Sequence, residues 1–154
     1  KILPLVGMNA GGFFTEEIRV MERRMGFRII TLDGTDGILA HSECNSNYKV
    51  GKYRVDLDSF EKVAIPALED AIKNKSIVVI DEIGTMELFS MRFKELVSKI
   101  LNSEKTLLCT IKENGDAFTE DIKKRKDVIL VTVNYENREI LPEKVFEMLR
   151  TMKK

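Results

Sequence analysis

The stretch that most restricts the fold of this 154-residue chain is Ile77-Val78-Val79-Ile80-Asp81-Glu82. Four consecutive apolar residues, with Lys73 and Lys75 before them and two carboxylates after, leave no polar side to face water. They read as a strand covered on both faces, the kind a parallel sheet contains. In an open α/β sheet ligands gather beyond the carboxyl ends of the strands, so acids placed there project where a phosphate or a metal ion would lie. One carboxylate can hold the water shell of Mg2+, which prefers oxygen ligands, while its neighbour orients or deprotonates an attacking water. Asp81 is thus the candidate metal residue and Glu82 the candidate base, a Walker B arrangement. The competing reading is that the pair merely ends the strand and caps the next turn.

The apolar pattern on either side completes an alternating order. Phe60, Val63, Ala64, Ala67, Leu68, Ala71 and Ile72 recur at the spacing of one helix face. Asp58-Ser59-Phe60-Glu61 supplies a capping pattern with Asp58 as the expected N-cap, and Pro66 is expected to kink or restart the helix. Ser90 is placed to cap a second helix from Met91 to Leu101. Thr106–Ile111 and Val128–Val133 read as further buried strands, residues 116–126 as a short helix, and Pro142 as the first turn of a terminal helix with Val145, Met148, Leu149 and Met152 inward. Met25–Leu32 and Ile38–His41, joined through Asp33-Gly34-Thr35-Asp36-Gly37, form an antiparallel hairpin, and Val50–Asp56 returns as a strand. The expected fold is α/β, a three-layer domain with a mainly parallel sheet and an added antiparallel hairpin, spanning residues 1–154 as one unit.

Charge and cysteine usage narrow the functional classes. Lys plus Arg balance Asp plus Glu at 25 each, so no net field favours nucleic acid or an anionic membrane. Lys123-Lys124-Arg125-Lys126 is read as a solvated helix end, since cations are favoured there and no aromatic platform accompanies them. Cys44 and Cys109 have no metal-ligand spacing, which suits free thiols in a reducing cytoplasm. No window approaches the apolar length of a membrane span, so a soluble cytoplasmic protein is expected. His41, the only histidine, has no evident catalytic partner.

Several runs then point in one direction. They are Gly11-Gly12-Phe13-Phe14-Thr15-Glu16-Glu17-Ile18-Arg19, Val50-Gly51-Lys52-Tyr53, Ile83-Gly84-Thr85-Met86-Glu87-Leu88-Phe89-Ser90, Ile122-Lys123-Lys124-Arg125-Lys126-Asp127-Val128 and Asn134 to Pro142. In this order, from about Gly11 to Pro142, the chain resembles the P-loop nucleoside-triphosphatase family that includes the THEP-type enzymes and the cancer-related nucleoside-triphosphatase. The resemblance implies Mg2+-dependent hydrolysis of nucleoside triphosphates such as ATP and GTP to diphosphate and phosphate. It implies that Thr15, Glu16 and Arg19 approach the nucleotide, that Thr110 faces the phosphates, that Arg125 neutralises phosphoryl charge, and that Asn137 and Arg138 lie near the base. Two departures stand out. Thr85 occupies a position where the family usually has lysine. The phosphate loop GxxxxGK[ST] is absent, because Phe13-Phe14 follow the Gly7–Gly12 spacing and Tyr53 follows Gly51-Lys52. Its place in the family order is ahead of Gly11, with Ile2 to Leu5 as the expected point of insertion. A nucleotide or nucleoside kinase on the same scaffold, and a non-catalytic interaction domain, remain alternative readings.

Overall fold

The computed structural model describes residues 9–151. In chain order the elements are β1 (Ala10–Val20), β2 (Arg23–Thr31), β3 (Asp36–His41), β4 (Lys49–Val50), β5 (Tyr53–Val55), α1 (Leu57–Asn74), β6 (Ile77–Ile83), α2 (Met91–Leu101), β7 (Thr106–Ile111), α3 (Ala117–Lys123) and α4 (Leu141–Thr151), with a 3-10 turn at Glu87–Phe89. The strands make one mixed sheet in the order β4-β5-β3-β2-β1-β6-β7. β6 lies between two parallel neighbours, with Phe14 opposite Asp81 on one side and Ile80 opposite Cys109 on the other. That placement explains the apolar run, whose four side chains are all buried. Ile2 to Leu5, where the missing phosphate loop is expected to insert, lie outside the described residues.

Alternation of side chains along the strand sorts its residues into two cores. Val78 and Ile80 join Phe13, Phe60, Phe93 and other residues of α1 and α2 on one face. Ile77 and Val79 pack on the opposite face with Leu108, Leu149 and Val145, the last two from α4. Helix, sheet and helix therefore form three layers, the architecture expected from the alternating elements. In the larger core Phe13, Phe60 and Phe93 meet at ring-centroid distances of 5.9, 5.9 and 5.5 Å, joining β1, α1 and α2.

The antiparallel part is larger than the sequence suggests. β1 outruns β6 and pairs with β2 from Phe13↔Thr31 to Val20↔Arg23. The turn between them is Met21-Glu22, with φ of 45° and 63°. Two positive φ values suit the twist of a tight hairpin, but neither residue is the Asn or Gly that announces such a turn. The one hairpin expected from the sequence is present as β2 and β3, with Gly34 at φ 95° in its loop.

Six expectations need correction. Val50–Asp56 is not one strand: Val50 ends β4 and Tyr53–Val55 is β5, paired antiparallel around a turn at Gly51-Lys52. Thr106–Ile111 is a strand but only half-buried, because it lies at one edge of the sheet that the described residues form. The N-cap of α1 is Asp56 and not Asp58, because the Asp56 carboxylate accepts the Ser59 amide at 2.9 Å, starting the helix a half-turn earlier. Pro66 does not restart the helix, since α1 runs as one element through it, with Ile65 and Leu68 buried on either side. The helix over 116–126 is shorter, Ala117–Lys123 behind an Asp116 cap. Val128–Val133 is not a buried strand: Ile129, Leu130, Val131 and Val133 are exposed, and the run pairs with no strand among the described residues. An apolar run is buried as a strand only where a neighbour takes up its hydrogen bonds, and among the described residues β7 offers it none. Met152 lies outside the described residues, while Leu149 is buried and Val145 packs beside it as expected.

Candidate active site

The register of β6 decides which groups meet. Asp81 and Glu82 fall at its carboxyl end, joined by a cis peptide bond. From the next strand, the Thr110 hydroxyl donates a short hydrogen bond to Asp81 Oδ1. This unites two residues that the sequence separates by almost thirty positions, and it orients the Asp81 carboxylate.

A third acid completes the group. Glu87 is 3% exposed and lies at the start of the 3-10 turn after β6. A Cβ at Gly84 would collide with Glu82 Oε1 and stand 2.8 Å from Glu87 Oε2, so the two carboxyl groups face one another over the bare glycine. Burial pushes the Glu87 carboxyl up to about 8, against the pull of the Glu87 and Gly84 backbone N–H groups that it accepts, with the charges of Glu82 and Asp81 adding to the rise. Glu82 is also raised, first by loss of solvent and then by Asp81, with Lys112 acting in the opposite sense. A raised carboxyl in a cluster of like charges is the condition under which glutamate holds or accepts a proton near neutral pH. Sequence patterns assign Glu87 no role, because its position in an ordinary-looking turn carries no sign of burial.

Lys112 follows β7 and reaches back to the turn, where its Nζ donates to Thr85 Oγ1 at 2.7 Å. Thr85 and Lys112, with Leu88, Phe89, Lys94 and Asp116, line a cleft of about 240 Å³ beside the acids.

The remaining sequence candidates are spread more widely. Thr15 follows Phe14, the partner of Asp81, so it stands level with Glu82. Glu16 is ion-paired with Arg28 at 2.8 Å, and Arg19 is bound to Glu17 and to the Glu22 carbonyl near the hairpin tip. At strand spacing, Arg19 is roughly 17 Å beyond the Asp81 level. Arg125 is held by Asp127, the Asn102 side chain and the Leu101 carbonyl. The last two mark the C-terminal end of α2, a helix that starts just after the acid-bearing turn and runs away from it, so the structure does not bring Arg125 to the acids. The Asn137 side chain donates to the Thr132 carbonyl and accepts from the Asn134 amide. Arg138 stacks over Tyr135 at 5.1 Å, so both residues engage their own loop.

The donor chemistry fits Mg2+. Asp81 offers hard carboxylate oxygen, and no group of three or more His, Cys, Asp or Glu able to hold a metal is found among the described residues. Mg2+ needs no such cage, since it binds through one or two carboxylates with waters and substrate phosphates completing its shell. Cys44 and Cys109 are free, and no described helix is long and apolar enough to cross a membrane.

A three-layer α/β sheet with an Asp-Glu pair at the carboxyl end of a parallel strand, steadied by a hydroxyl from the next strand, defines a domain of the nucleoside-triphosphatase class. A family model described as NTPase matches residues 1–146. The nucleoside-triphosphatase THEP1 of Thermotoga maritima is 48% identical over 150 residues, covering 97% of this chain and 86% of the relative. Two solved structures agree: THEP1 from Aquifex aeolicus, with a TM-score of 0.88 and 35% identity over 96% of this chain and 88% of that one, and a human cancer-related nucleoside triphosphatase, with 0.82 and 37% over 99% and 88%. The chain belongs to the THEP-type nucleoside-triphosphatase family.

Proposed function

We propose that this protein hydrolyses nucleoside 5'-triphosphates, ATP and GTP among them, to diphosphate and phosphate with Mg2+ as cofactor. The observation that carries the reading is the Asp81-Glu82 pair at the end of β6, with Asp81 bonded to Thr110 and the Glu82 carboxyl raised by loss of solvent and by Asp81. Bound Mg2+ would supply charge neutralisation on the phosphate oxygens. Asp81 would hold its water shell. Glu82 orients the attacking water and takes its proton as the new phosphorus–oxygen bond forms and the bond to the bridging oxygen breaks. Glu87, buried beside it across Gly84, is largely neutral near pH 7, so Glu82 has no second full negative neighbour besides Asp81. Thr15, level with Glu82, lines the same end of the sheet. Among the other residues implied by the resemblance, Glu16, Arg19, Asn137 and Arg138 reach a nucleotide only from the hairpin and the loop before α4, and Arg125 would first have to leave its partners at α2. Free thiols suit a cytoplasmic setting.

The test is release of inorganic phosphate from ATP and GTP by the intact protein, with Mg2+ and with a chelator, and with no acceptor added. Glu82→Gln is expected to lower kcat by about a hundredfold or more, the scale of a lost general base. Undiminished turnover in that variant would remove Glu82 as the base, and consumption of ATP only with an added acceptor would favour a kinase.

A further inference from the structure

Transfer of a phosphoryl group places negative charge on oxygens that the acids at the end of β6 can only repel, so the site needs a cation. Arg125 is committed at the far end of α2. Lys94 lies 3.9 Å from Asp116 and sits over the Phe118 ring. Lys112 is placed differently. Its backbone N–H meets the Ile83 carbonyl at 3.5 Å, which sets it beside the turn after Glu82. Its ammonium donates to a neutral hydroxyl, Thr85 Oγ1, and among the described residues no carboxylate lies within ion-pair distance of it. An ammonium has three N–H donors, so one bond to Thr85 leaves two for anionic oxygens. With Thr85 it lines the cleft at the acid-bearing turn, and its charge opposes the rise of the Glu82 carboxyl.

We infer that Lys112 is a phosphate-binding residue of this site, an ammonium aimed by Thr85 at the terminal phosphate oxygens of the nucleoside triphosphate. The inference rests on the hydrolase reading above and adds to it a cation contributed by the described residues. Lysine suits the task as a compact point charge on phosphate. Thr85 acts on it as a positioning residue, fixing a side chain that would otherwise lose rotamer freedom on binding.

The experiment compares wild type, Lys112→Met, the double variant Thr85→Lys with Lys112→Met, and Glu82→Gln in the intact protein. It reads kcat and KM for Mg2+-ATP, binding of a nonhydrolysable ATP analogue by calorimetry, and the thermal midpoint. Lys112→Met is expected to weaken analogue binding or kcat/KM by about tenfold or more, the scale of a lost charge-assisted hydrogen bond, with the thermal midpoint unmoved. The double variant brings an ammonium into the same cleft from the turn after β6 and is expected to recover a measurable part of the loss. Wild-type binding and turnover in Lys112→Met, with Glu82→Gln inactive, would overturn the role of Lys112 and leave the hydrolase reading standing. Full turnover in Glu82→Gln would instead overturn that reading. A loss in Lys112→Met that the double variant does not recover, whether or not the midpoint falls, would also overturn the inference, since the charge at that place would not be the cause.

Discussion

At the level of single residues, the chemistry depends on a glycine as much as on the acids. Gly84 has no side chain where Glu82 and Glu87 close over it, and the atoms that an added methyl would meet are mostly the ends of those two carboxylates. Gly84→Ala is therefore expected to push the carboxyl groups apart and not to unfold the chain. The outcome to look for is a fall in kcat of about tenfold or more beside a loss of stability of about 1 kcal/mol or less, read by phosphate release and urea denaturation. Asp81→Asn differs in kind. It keeps the shape that accepts the Thr110 hydroxyl but removes the charge, so the Mg2+ concentration needed for half-maximal turnover should rise by about tenfold or more. An unchanged Mg2+ requirement would take Asp81 out of the metal shell.

Between elements, two devices hold the acid-bearing turn in place. Ser90 caps α2 by accepting the Phe93 amide at 3.0 Å, and the same hydroxyl donates to Glu61 Oε1 of α1 at 2.6 Å. One fully buried side chain thus ends the turn, starts one helix and ties it to another. Ser90→Ala should cost about 1–2 kcal/mol in denaturant unfolding, and in a double-mutant cycle with Glu61→Ala the two costs should fall short of additivity. Phe93, wholly buried against Phe13 and Phe60, joins α2 to β1 and α1. Phe93→Ala is expected to cost about 3–5 kcal/mol, since neighbours fixed by two other elements cannot collapse into the space it leaves. The capping of α2 was legible from Ser90 alone. Its bond to Glu61 was not, because Glu61 looked like the partner of an Asp58 cap on its own helix.

Over the molecule as a unit, the buried acid links stability to pH. Glu87 titrates at about 8 in the folded protein against an ordinary 4.5, so the folded state holds more protons than the unfolded chain between those values. Stability from this group is fully present below pH 4.5, declines as pH rises and is lost by about pH 8, at up to about 1.4 kcal/mol per pH unit within the window. Glu87→Gln, which is neutral throughout, should flatten that decline when urea midpoints are compared at about pH 5.5 and about pH 8.5, on either side of most of that window. Equal slopes in the two proteins would show that Glu87 is not protonated when folded.

The alternation of strands and helices as far as β7, the burial of Ile77–Ile80, and the position of Asp81 and Glu82 at a strand end could all be read from the chain alone. Each follows from local composition and period, which a sequence carries in one dimension. The company those acids keep could be read only from the folded molecule. Thr110 and Lys112 come from the end of β7 and Glu87 from the turn after β6, and they meet the acids because β7 pairs in parallel with β6 and that turn folds inward. The same dependence on neighbours leaves Val128–Val133 exposed despite an apolar pattern suited to a buried strand, and holds Arg125 at the end of α2 despite a motif that suggested the phosphates. Apolar pattern sets what a segment can bury, but hydrogen-bonded partners across the fold set whether it is buried and which charges it meets.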